Sequence, residues 1–456
     1  MGYPARSGGN LARILMEPFS SALIVESPHA SLDDHLRLMG IEAHRLAKVP
    51  DEAALIDEIN RTGAQILFKR SRVPVTRNLV ESCPSLHVVQ LCCIGDDSVD
   101  KPACAQHGVL TFNDPISNAR SVVELAIGHM IALSRRLYET DVETHRNEWN
   151  KNATGRYEIK GKRLGIVGLG NIGRQVARAA ESFGVEVGFY DNRLVAQEVG
   201  SEMGWLKADG LDDLFSNSDM VSVHTSAFDA WGRDNMNLLD DVLRRLGANR
   251  PEGSPRIFLN LARGNVHSTQ ALLAAVADGK IRRAAVDVYP EEPRPGAGDW
   301  ANPYADEPRI SCTPHIGAAT QEAQPRIAKR VADTMGYFSR NGWMRDCVYA
   351  PRVKMSVGDT SRGHAVLAVV HTTSRGTKKA VDDAIYEAHV SNLFSTHQDF
   401  AIGVAYDLSV LDSPLSREQL DRLVARAAEL AGDETAIKAV RQIEVPSAGW
   451  PGLSSK

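Results

Sequence analysis

A glycine pattern in the stretch "LGIVGLGNIGRQVARAAESFGVEVGFYD" has the spacing that binds the diphosphate of a dinucleotide. Gly168, Gly170 and Gly173 stand in GxGxxG order, after an apolar strand and at the start of a helix. The first glycine permits a tight turn, the second lets the backbone approach a pyrophosphate, and the third lets helix and strand pack closely. The first backbone N–H groups of the helix would bind the anion. This context favours a nucleotide site over an empty glycine turn.

An acidic residue at the end of the next strand indicates which dinucleotide. Asp191 follows "VEVGFY". A carboxylate there hydrogen-bonds the adenosine ribose diol and repels a 2′-phosphate, which favours NAD over NADP. Arg193 lies close enough to leave NADP open.

Three further segments place reactive side chains after strand-like runs. Arg263 follows "RIFLNLA", Asp287 and Glu292 lie in "VDVYPEEP", and His315 lies in "TPHIG". Open α/β sheets bind ligands at the carboxyl ends of their strands, and a histidine can exchange a proton near neutral pH. Each residue alone also has a structural interpretation, as a surface charge, a solvated loop acid or a core histidine.

The elements that would position these residues alternate between strand and helix. Apolar runs at 22–26, 65–68, 87–93 and 108–112 are separated by helical segments, and this predicts a parallel sheet covered by helices. A long helical pattern covers 118–141, and a second alternating block runs from 162 to about 310. A helix at 320–340 is interrupted near its start by Pro325. The order βαββαβ over 361–445 predicts a ferredoxin-like domain.

The predicted fold class is α/β. A Rossmann-type doubly wound parallel sheet is expected to be inserted into a flavodoxin-like substrate domain, and a ferredoxin-like α+β domain is expected to follow. The predicted boundaries are a flexible arm at 1–18, a substrate domain at 19–116 and 311–342, a nucleotide domain at 117–310, a linker at 343–360, a C-terminal domain at 361–446 and a tail at 447–456.

Composition excludes several classes of protein. The 456 residues carry 57 acidic and 52 basic side chains, a net charge of −5, which disfavours a nucleic-acid binder. The six cysteines form no CxxC pair, so we expect reduced thiols in the cytoplasm and no metal site. No apolar run is long enough for a membrane span.

Together these motifs resemble the D-isomer-specific 2-hydroxyacid dehydrogenases. The glycine motif, "NLARG", "DVYPEEP" and "TPHIGAATQEA" carry the resemblance, which spans residues 20 to about 340. The segments "KRSRVPVT", "CCIGDDSVD", "FNDPISNARSVVELAIG" and "HRNEWNK" resemble the members that oxidise D-3-phosphoglycerate in L-serine biosynthesis. The tail resembles their regulatory ACT domain.

The resemblance implies a role for each matching residue. Arg263 would bind the substrate carboxylate, and His315 would be the acid/base on the 2-oxygen, paired with Glu292. The implied NAD contacts are Gly168, Gly170, Asn171, Ile172, Gly173, Asp191, Thr225, Leu261, Ala262, Asp287, Ile316, Gly317 and Ala318. The implied substrate contacts are Arg70, Ser71, Arg72, Gly95, Asn118, Trp149 and Lys151, with the two arginines facing a distal phosphate.

Two departures and two alternatives stay open. Ser226 stands where the family has a proline, and 249–256 is an insertion. Thr373 and Arg375 replace the Asn and Pro of the ACT effector turn, which argues against inhibition by L-serine, although Asn392 could supply a second effector contact. The alternatives are another D-2-hydroxyacid dehydrogenase, for example one acting on 2-hydroxyglutarate and 2-oxoglutarate, and a non-catalytic NAD-sensing scaffold. We expect a homodimer or homotetramer that acts on a small phosphorylated 2-hydroxy acid.

Overall fold

The computed structural model describes residues 12–228, 233–293, 300–351, 353–357 and 364–445. The chain divides into two compact units. The first comprises Met1–Asp114 and Pro325–Lys456, and the second comprises Pro115–Gln324. Within the described residues no helix is long and apolar enough to cross a membrane. The predicted tail at 447–456 and most of the predicted arm lie outside the described residues.

The N-terminal part of the first unit is a parallel sheet with helices between its strands. Its strand order is β3-β2-β4-β5-β6, the flavodoxin order, as predicted. The edge strand β3 was not predicted, because its sequence "EAHR" contains no apolar run. The elements are β1 (Arg13–Leu15), β2 (Ser21–Ile24), α1 (Ser31–Leu38), β3 (Glu42–Arg45), α2 (Glu52–Thr62), β4 (Ile66–Lys69), α3 (Arg77–Ser82), β5 (Val88–Leu91), α4 (Lys101–Gln106) and β6 (Leu110–Phe112).

The second unit is a doubly wound parallel sheet in the order β13-β12-β11-β10-β7-β8-β9. The strand order reverses beside β7, so ligands are expected outside the carboxyl ends of β7 and β10. The elements are α5 (Ala119–Arg135), α6 (Leu137–His145), β7 (Arg163–Val167), α7 (Asn171–Glu181), β8 (Glu186–Tyr190), α8 (Leu194–Glu202), β9 (Leu206–Lys207), α9 (Leu211–Ser216), β10 (Met220–Val223), β11 (Ile257–Asn260), α10 (Thr269–Ala277), β12 (Arg283–Val286) and β13 (Ile310–Cys312).

One predicted helix and one predicted domain boundary in this unit are wrong. The helix expected over 118–141 breaks at Arg136, which adopts a left-handed conformation with φ of 58° and binds Glu139. Residues 311–324 belong to the nucleotide unit, because β13 pairs with β12 and extends its sheet. His315 therefore lies in the same unit as the glycine motif.

The C-terminal part of the first unit has the predicted βαββαβ order. An antiparallel sheet β17-β14-β16-β15 has two helices packed on it, α12 and α13, and β1 adds to the edge of β17 in parallel. The elements are α11 (Ala323–Asn341), β14 (Ala365–Thr372), α12 (Thr377–Glu387), β15 (Asn392–Asp399), β16 (Val404–Leu411), α13 (Arg417–Ala431) and β17 (Ile437–Glu444). Pro325 lies in the first turn of α11, where its missing N–H is tolerated, and does not interrupt the helix.

The flexible arm expected at 1–18 is wrong over its described part. Arg13–Leu15 form β1, and the Arg13 side chain is buried. Its guanidinium donates to four backbone carbonyls, those of Val80, Cys83, Leu86 and His107, at 2.7–2.8 Å. The expected linker at 343–360 is also packed where it is described, since Met344 pairs with Met355 and Cys347 with Phe112.

The insertion at 249–256 lies at the amino ends of the strands of the second unit. Asp219, just before β10, is buried and accepts hydrogen bonds from Arg250, Ser254 and the backbone N–H of Arg163. Burial acts to raise the pKa of Asp219, but these hydrogen bonds outweigh it and hold the pKa below its usual value. The insertion therefore closes the edge of the sheet opposite the glycine motif.

Replacing Arg13 tests whether β1 and its buried arginine stabilise the first unit. We expect Arg13→Ala to lower the free energy of unfolding by about 3 kcal/mol, because it leaves buried carbonyls without a donor. Arg37→Ala is a matched control, since Arg37 is exposed and, among the described residues, pairs only with Asp34, and it should cost less than about 0.5 kcal/mol. Urea unfolding followed by circular dichroism measures both. Equal midpoints for the two variants would contradict a structural role for β1.

Candidate active site

Most of the reactive side chains of the second unit share one edge of its sheet. The strands run parallel, so the residues after each strand meet at the carboxyl edge. The predicted residues at this edge are Gly168 and Gly170 after β7, Asp191 after β8, Thr225 after β10, Leu261, Ala262 and Arg263 after β11, Asp287 after β12, and His315 after β13.

The glycine turn is tight at two positions and open at the third. A Cβ on Gly173 would lie 2.1 Å from the carbonyl oxygen of Gly168, and one on Gly168 would lie 2.8 Å from that of His224. Gly168 also has a φ of 90°. A Cβ on Gly170 would meet only Arg193, at 3.9 Å, and no side chain caps α7. Backbone N–H groups of α7 are therefore available to a phosphate, and the turn fits a dinucleotide.

Asp191 is buried and tied to the turn. Its carboxylate accepts from the backbone N–H of Leu169 at 2.8 Å and from the Arg193 guanidinium at 2.6 and 2.9 Å. Burial acts to raise the pKa of Asp191, but the hydrogen bonds and charge of Arg193 outweigh it, so the pKa lies below its usual value. Asp191 is therefore an anion with one cationic partner beside the place expected for the adenosine ribose.

The remaining predicted cofactor contacts surround the same edge. The buried Oγ1 of Thr225 has no hydrogen-bond partner among the described residues, so it can bind a ligand. Asn171 is instead held by the protein, since its side chain donates to the carbonyl of Pro115 and accepts from Gln175. Ile172 is partly buried against the core of this unit. These surroundings fit NAD.

His315 and Glu292 form a direct pair. The Nδ1 atom of His315 lies 2.9 and 2.8 Å from the two carboxylate oxygens of Glu292. Both side chains are partly open to solvent, at 46% and 35% of their area. His315 has a φ of 55°, in the left-handed region that non-glycine residues seldom adopt and that occurs often at functional sites.

The buried carboxylate of Asp287 holds the loop that carries His315. It accepts three hydrogen bonds, from the hydroxyl of Thr313 at 2.6 Å and from the backbone N–H groups of Ile316 and Gly317 at 2.9 Å. A Cβ on Gly317 would crowd this carboxylate at 3.2 Å. The Ala318 carbonyl is bound by Gln324. Asp287 thus fixes the backbone on either side of His315; its expected contact with the nicotinamide stays a prediction.

Arg263 is positioned by a close backbone approach. A Cβ on Gly264, the next residue, would lie 2.0 Å from the backbone carbonyl of Tyr289, so only glycine fits there. Asn260, fully buried at the end of β11, donates to the carbonyl of Arg263 and accepts from the N–H of Ala262. The "ARG" turn is therefore pressed against the loop that leads to Glu292. Asn260 was not singled out in the sequence, although a polar residue that ends an apolar strand is a usable signal.

In the first unit, Glu26 holds the loop Arg70-Ser71-Arg72. Its carboxylate accepts from the backbone N–H groups of Arg70, Arg72 and Val73, the last two at 2.6 and 2.5 Å. Arg70 is half-buried, while Ser71 and Arg72 are exposed. The backbone is thereby fixed while both guanidinium groups stay accessible.

A buried lysine joins this loop to the loop that contains Gly95. Lys69 donates to the carbonyl of Arg70 at 2.8 Å and to the hydroxyl of Ser98 at 2.7 Å. Burial lowers the pKa of Lys69, and the charge of Glu26 opposes that shift. Sequence reasoning missed both Glu26 and Lys69, since each is a single charge at the end of an apolar strand.

Three other predicted substrate residues, Asn118, Trp149 and Lys151, lie in the second unit, and among the described residues no hydrogen bond or ion pair joins one of them to another. Asn118 precedes α5 and is buried, and its Oδ1 has no hydrogen-bond partner among the described residues. Trp149 is 84% exposed, and Lys151 is exposed. Exposure of so large an aromatic ring agrees with the expected contact to a second subunit, which stays a prediction.

Comparison with known proteins identifies the family. Residues 127–317 match the model of the D-isomer specific 2-hydroxyacid dehydrogenase NAD binding domain. The chain is 34% identical over 378 residues to D-3-phosphoglycerate dehydrogenase of Haemophilus influenzae, covering 81% of this chain and 86% of that one. It is 30% identical over 436 residues to D-3-phosphoglycerate dehydrogenase 2 of Saccharomyces cerevisiae, covering 91% and 88%.

Solved structures show the same fold. A glyoxylate reductase from Paecilomyes thermophila matches with a TM-score of 0.62 at 23% identity, over 73% of this chain and 98% of that one. The TT0316 protein of Thermus thermophilus matches with a TM-score of 0.58 at 25% identity, over 69% and 95%. The chain therefore belongs to the D-isomer-specific 2-hydroxyacid dehydrogenases and is an NAD-dependent oxidoreductase of that family.

Proposed function

We propose that this enzyme oxidises D-3-phosphoglycerate to 3-phosphohydroxypyruvate, the reaction that opens L-serine biosynthesis. The hydrogen-bonded pair of His315 and Glu292 carries the proposal, because it provides a general base supported by a carboxylate. The likeness to D-3-phosphoglycerate dehydrogenases over most of both chains supports the choice of substrate.

His315 takes the proton of the substrate's 2-hydroxyl group. Its Nδ1 faces Glu292, so Nε2 is the nitrogen left for the hydroxyl. Glu292 then stabilises the imidazolium ion that forms. The glycine turn and the carboxyl edge of the second unit's sheet would hold NAD, which would supply the acceptor for the hydride of the substrate's C2. The loop fixed by Asp287 holds the imidazole in place for this transfer.

Arg263 binds the substrate carboxylate and stabilises charge at the neighbouring C2 oxygen. A guanidinium matches a planar carboxylate with two parallel hydrogen bonds. The close approach of Gly264 to Tyr289 fixes the backbone beside Arg263, which limits the entropy lost when substrate binds.

Arg70 and Arg72, with the hydroxyl of Ser71, bind the distal phosphate. Two guanidinium groups suit a dianion, and the hold of Glu26 on their backbone leaves the cationic side chains free to engage it. The same pair would accept a distal carboxylate, so reduction of 2-oxoglutarate is the alternative activity. We further propose a homodimer in which Trp149 and Lys151 reach the neighbouring subunit, and a regulatory role for the C-terminal domain.

Removing the charge of Glu292 should slow the chemical step. We expect Glu292→Gln to lower kcat by roughly 100-fold with little change in KM for NAD, because His315 loses the carboxylate that supports its charged form. Glu291→Gln is the matched control and should keep nearly full activity. NADH formation at saturating substrate measures both. A Glu292→Gln enzyme as fast as the control would exclude the proposed base.

Arg72 separates a phosphate site from a simple charged loop. We expect Arg72→Ala to raise KM for D-3-phosphoglycerate by about 10- to 100-fold, and KM for an unphosphorylated 2-hydroxy acid much less. Arg77→Ala, an exposed arginine at the start of α3, is the control. Initial rates over a substrate series give the KM values. Equal effects on both substrates would remove the phosphate assignment.

The pair of Asp191 and Arg193 should set the choice of cofactor. We expect Asp191→Ala to lower kcat/KM for NAD about tenfold and to raise it for NADP, because Arg193 is released to bind a 2′-phosphate. In the double variant with Arg193→Ala the gain for NADP should disappear. If the single variant still rejects NADP, Arg193 does not bind the 2′-phosphate.

A further inference from the structure

Two histidines and an aspartate meet on the C-terminal sheet of the first unit. His371 on β14, Asp407 on β16 and His397 on β15 lie on three neighbouring strands, with His397 directly opposite Asp407. The Nε2 of His371 lies 2.9 Å from one oxygen of Asp407, and the Nδ1 of His397 lies 2.5 Å from the other. His371 and Asp407 are almost fully buried, while His397 is 30% exposed.

Both rings face more acceptors than a neutral imidazole can satisfy. The Nδ1 of His371 faces the carbonyl oxygen of Thr372 at 2.7 Å, and a carbonyl can only accept, so this nitrogen carries the hydrogen. Its Nε2 then points a lone pair at the Asp407 carboxylate. His397 stands between two carboxylates, Asp407 and Asp399, the latter at 2.9 Å. Each neutral ring therefore directs one acceptor nitrogen at an acceptor oxygen.

The two rings share the carboxylate of Asp407, with ring centroids 5.7 Å apart and planes 20° from parallel. Lys378 lies 3.7 Å from Asp407, although its closer partner is Asp382 at 2.5 Å. A single divalent cation among the two nitrogens and the carboxylate would accept the lone pairs that both rings direct at Asp407.

The surroundings match those of histidines that bind metals. Such histidines usually donate their second N–H to a backbone carbonyl or a carboxylate, which fixes the tautomer and the ring orientation. Thr372 and Asp399 supply these two groups. The possible ligand atoms lie within 4.8 Å of one another. Two imidazoles and one carboxylate are a donor set that zinc prefers, with a fourth position left for water.

We propose that His371 Nε2, His397 Nδ1 and the carboxylate of Asp407 bind one Zn²⁺ ion in the C-terminal domain. The ion ties the edge strand β15 to β14 and β16. This site is separate from the dehydrogenase chemistry, which lies on other residues. The sequence predicts no metal site because these ligands are too far apart in the chain to form a recognisable motif.

Zinc binding to the whole chain tests the proposal. The protein is stripped with EDTA, reloaded with zinc sulfate and passed through a desalting column. It should then retain about one zinc per chain, measured by elemental mass spectrometry. His397→Gln should weaken zinc binding at least tenfold, and His389→Gln, an exposed histidine of the same domain, should not change it. Zinc should also raise the thermal unfolding midpoint of the wild type and of the His389 variant, and it should leave that of the His397 variant unchanged.

Cobalt substitution of the wild type gives a second measurement that does not depend on a variant folding. Bound Co²⁺ should show the visible d–d bands of a nitrogen and oxygen site. No zinc retained by the wild type, equal retention by the His397 variant, or a cobalt–thiolate charge-transfer band from the cysteines would each overturn the proposal.

Discussion

The hydrogen bonds between the carboxylate of Asp287 and the loop after β13 are the interaction on which the second unit's site depends. They fix the backbone at Ile316 and Gly317 and hold the hydroxyl of Thr313. His315 lies between these anchors in a left-handed conformation, which is costly for a residue with a Cβ. The buried carboxylate offsets that cost, and the imidazole is thereby presented to Glu292.

Charged side chains at strand ends also position loops in the first unit, Glu26 partly buried and Lys69 fully buried. Glu26 binds the backbone N–H groups of Arg70, Arg72 and Val73, and Lys69 bridges the same loop to Ser98. A buried charge is tolerated only when its hydrogen bonds are made, so each also makes its loop rigid. In both units a partly buried or buried carboxylate, Glu26 or Asp287, fixes the backbone of the loop that carries the more exposed reactive side chain.

Much of this arrangement could be predicted from the sequence because it depends on local patterns. Alternating apolar runs gave the parallel sheets, and the glycine spacing placed the nucleotide turn. Motifs predict Arg263, Glu292 and His315 as catalytic residues, and the structure pairs the last two. Glu26 could not be predicted, because its partners are distant in sequence, and Lys69 bridges to the distant Ser98. Asn260 ends an apolar strand and left a local signal, but its role depends on the geometry of the turn that follows.

Errors in the predicted boundaries have the same cause. The sequence predicts an arm over β1 because three residues carry little periodicity, and pairing with β17 and the burial of Arg13 make them a strand. The sequence places β13 in the substrate domain, whereas its pairing with β12 decides its membership. The break at Arg136 occurs without glycine or proline, so local propensity gave no signal.

We expect the base at His315 to act on a phosphorylated D-2-hydroxy acid with NAD as oxidant. The test is kcat/KM for NADH formation at alkaline pH by the wild-type enzyme, with D-3-phosphoglycerate, D-2-hydroxyglutarate and D-lactate compared in parallel. D-3-phosphoglycerate should be the best substrate by at least roughly tenfold, since it is the one of the three that carries a phosphate dianion for Arg70 and Arg72. Preference for D-2-hydroxyglutarate, or no NADH with any of the three, would contradict it.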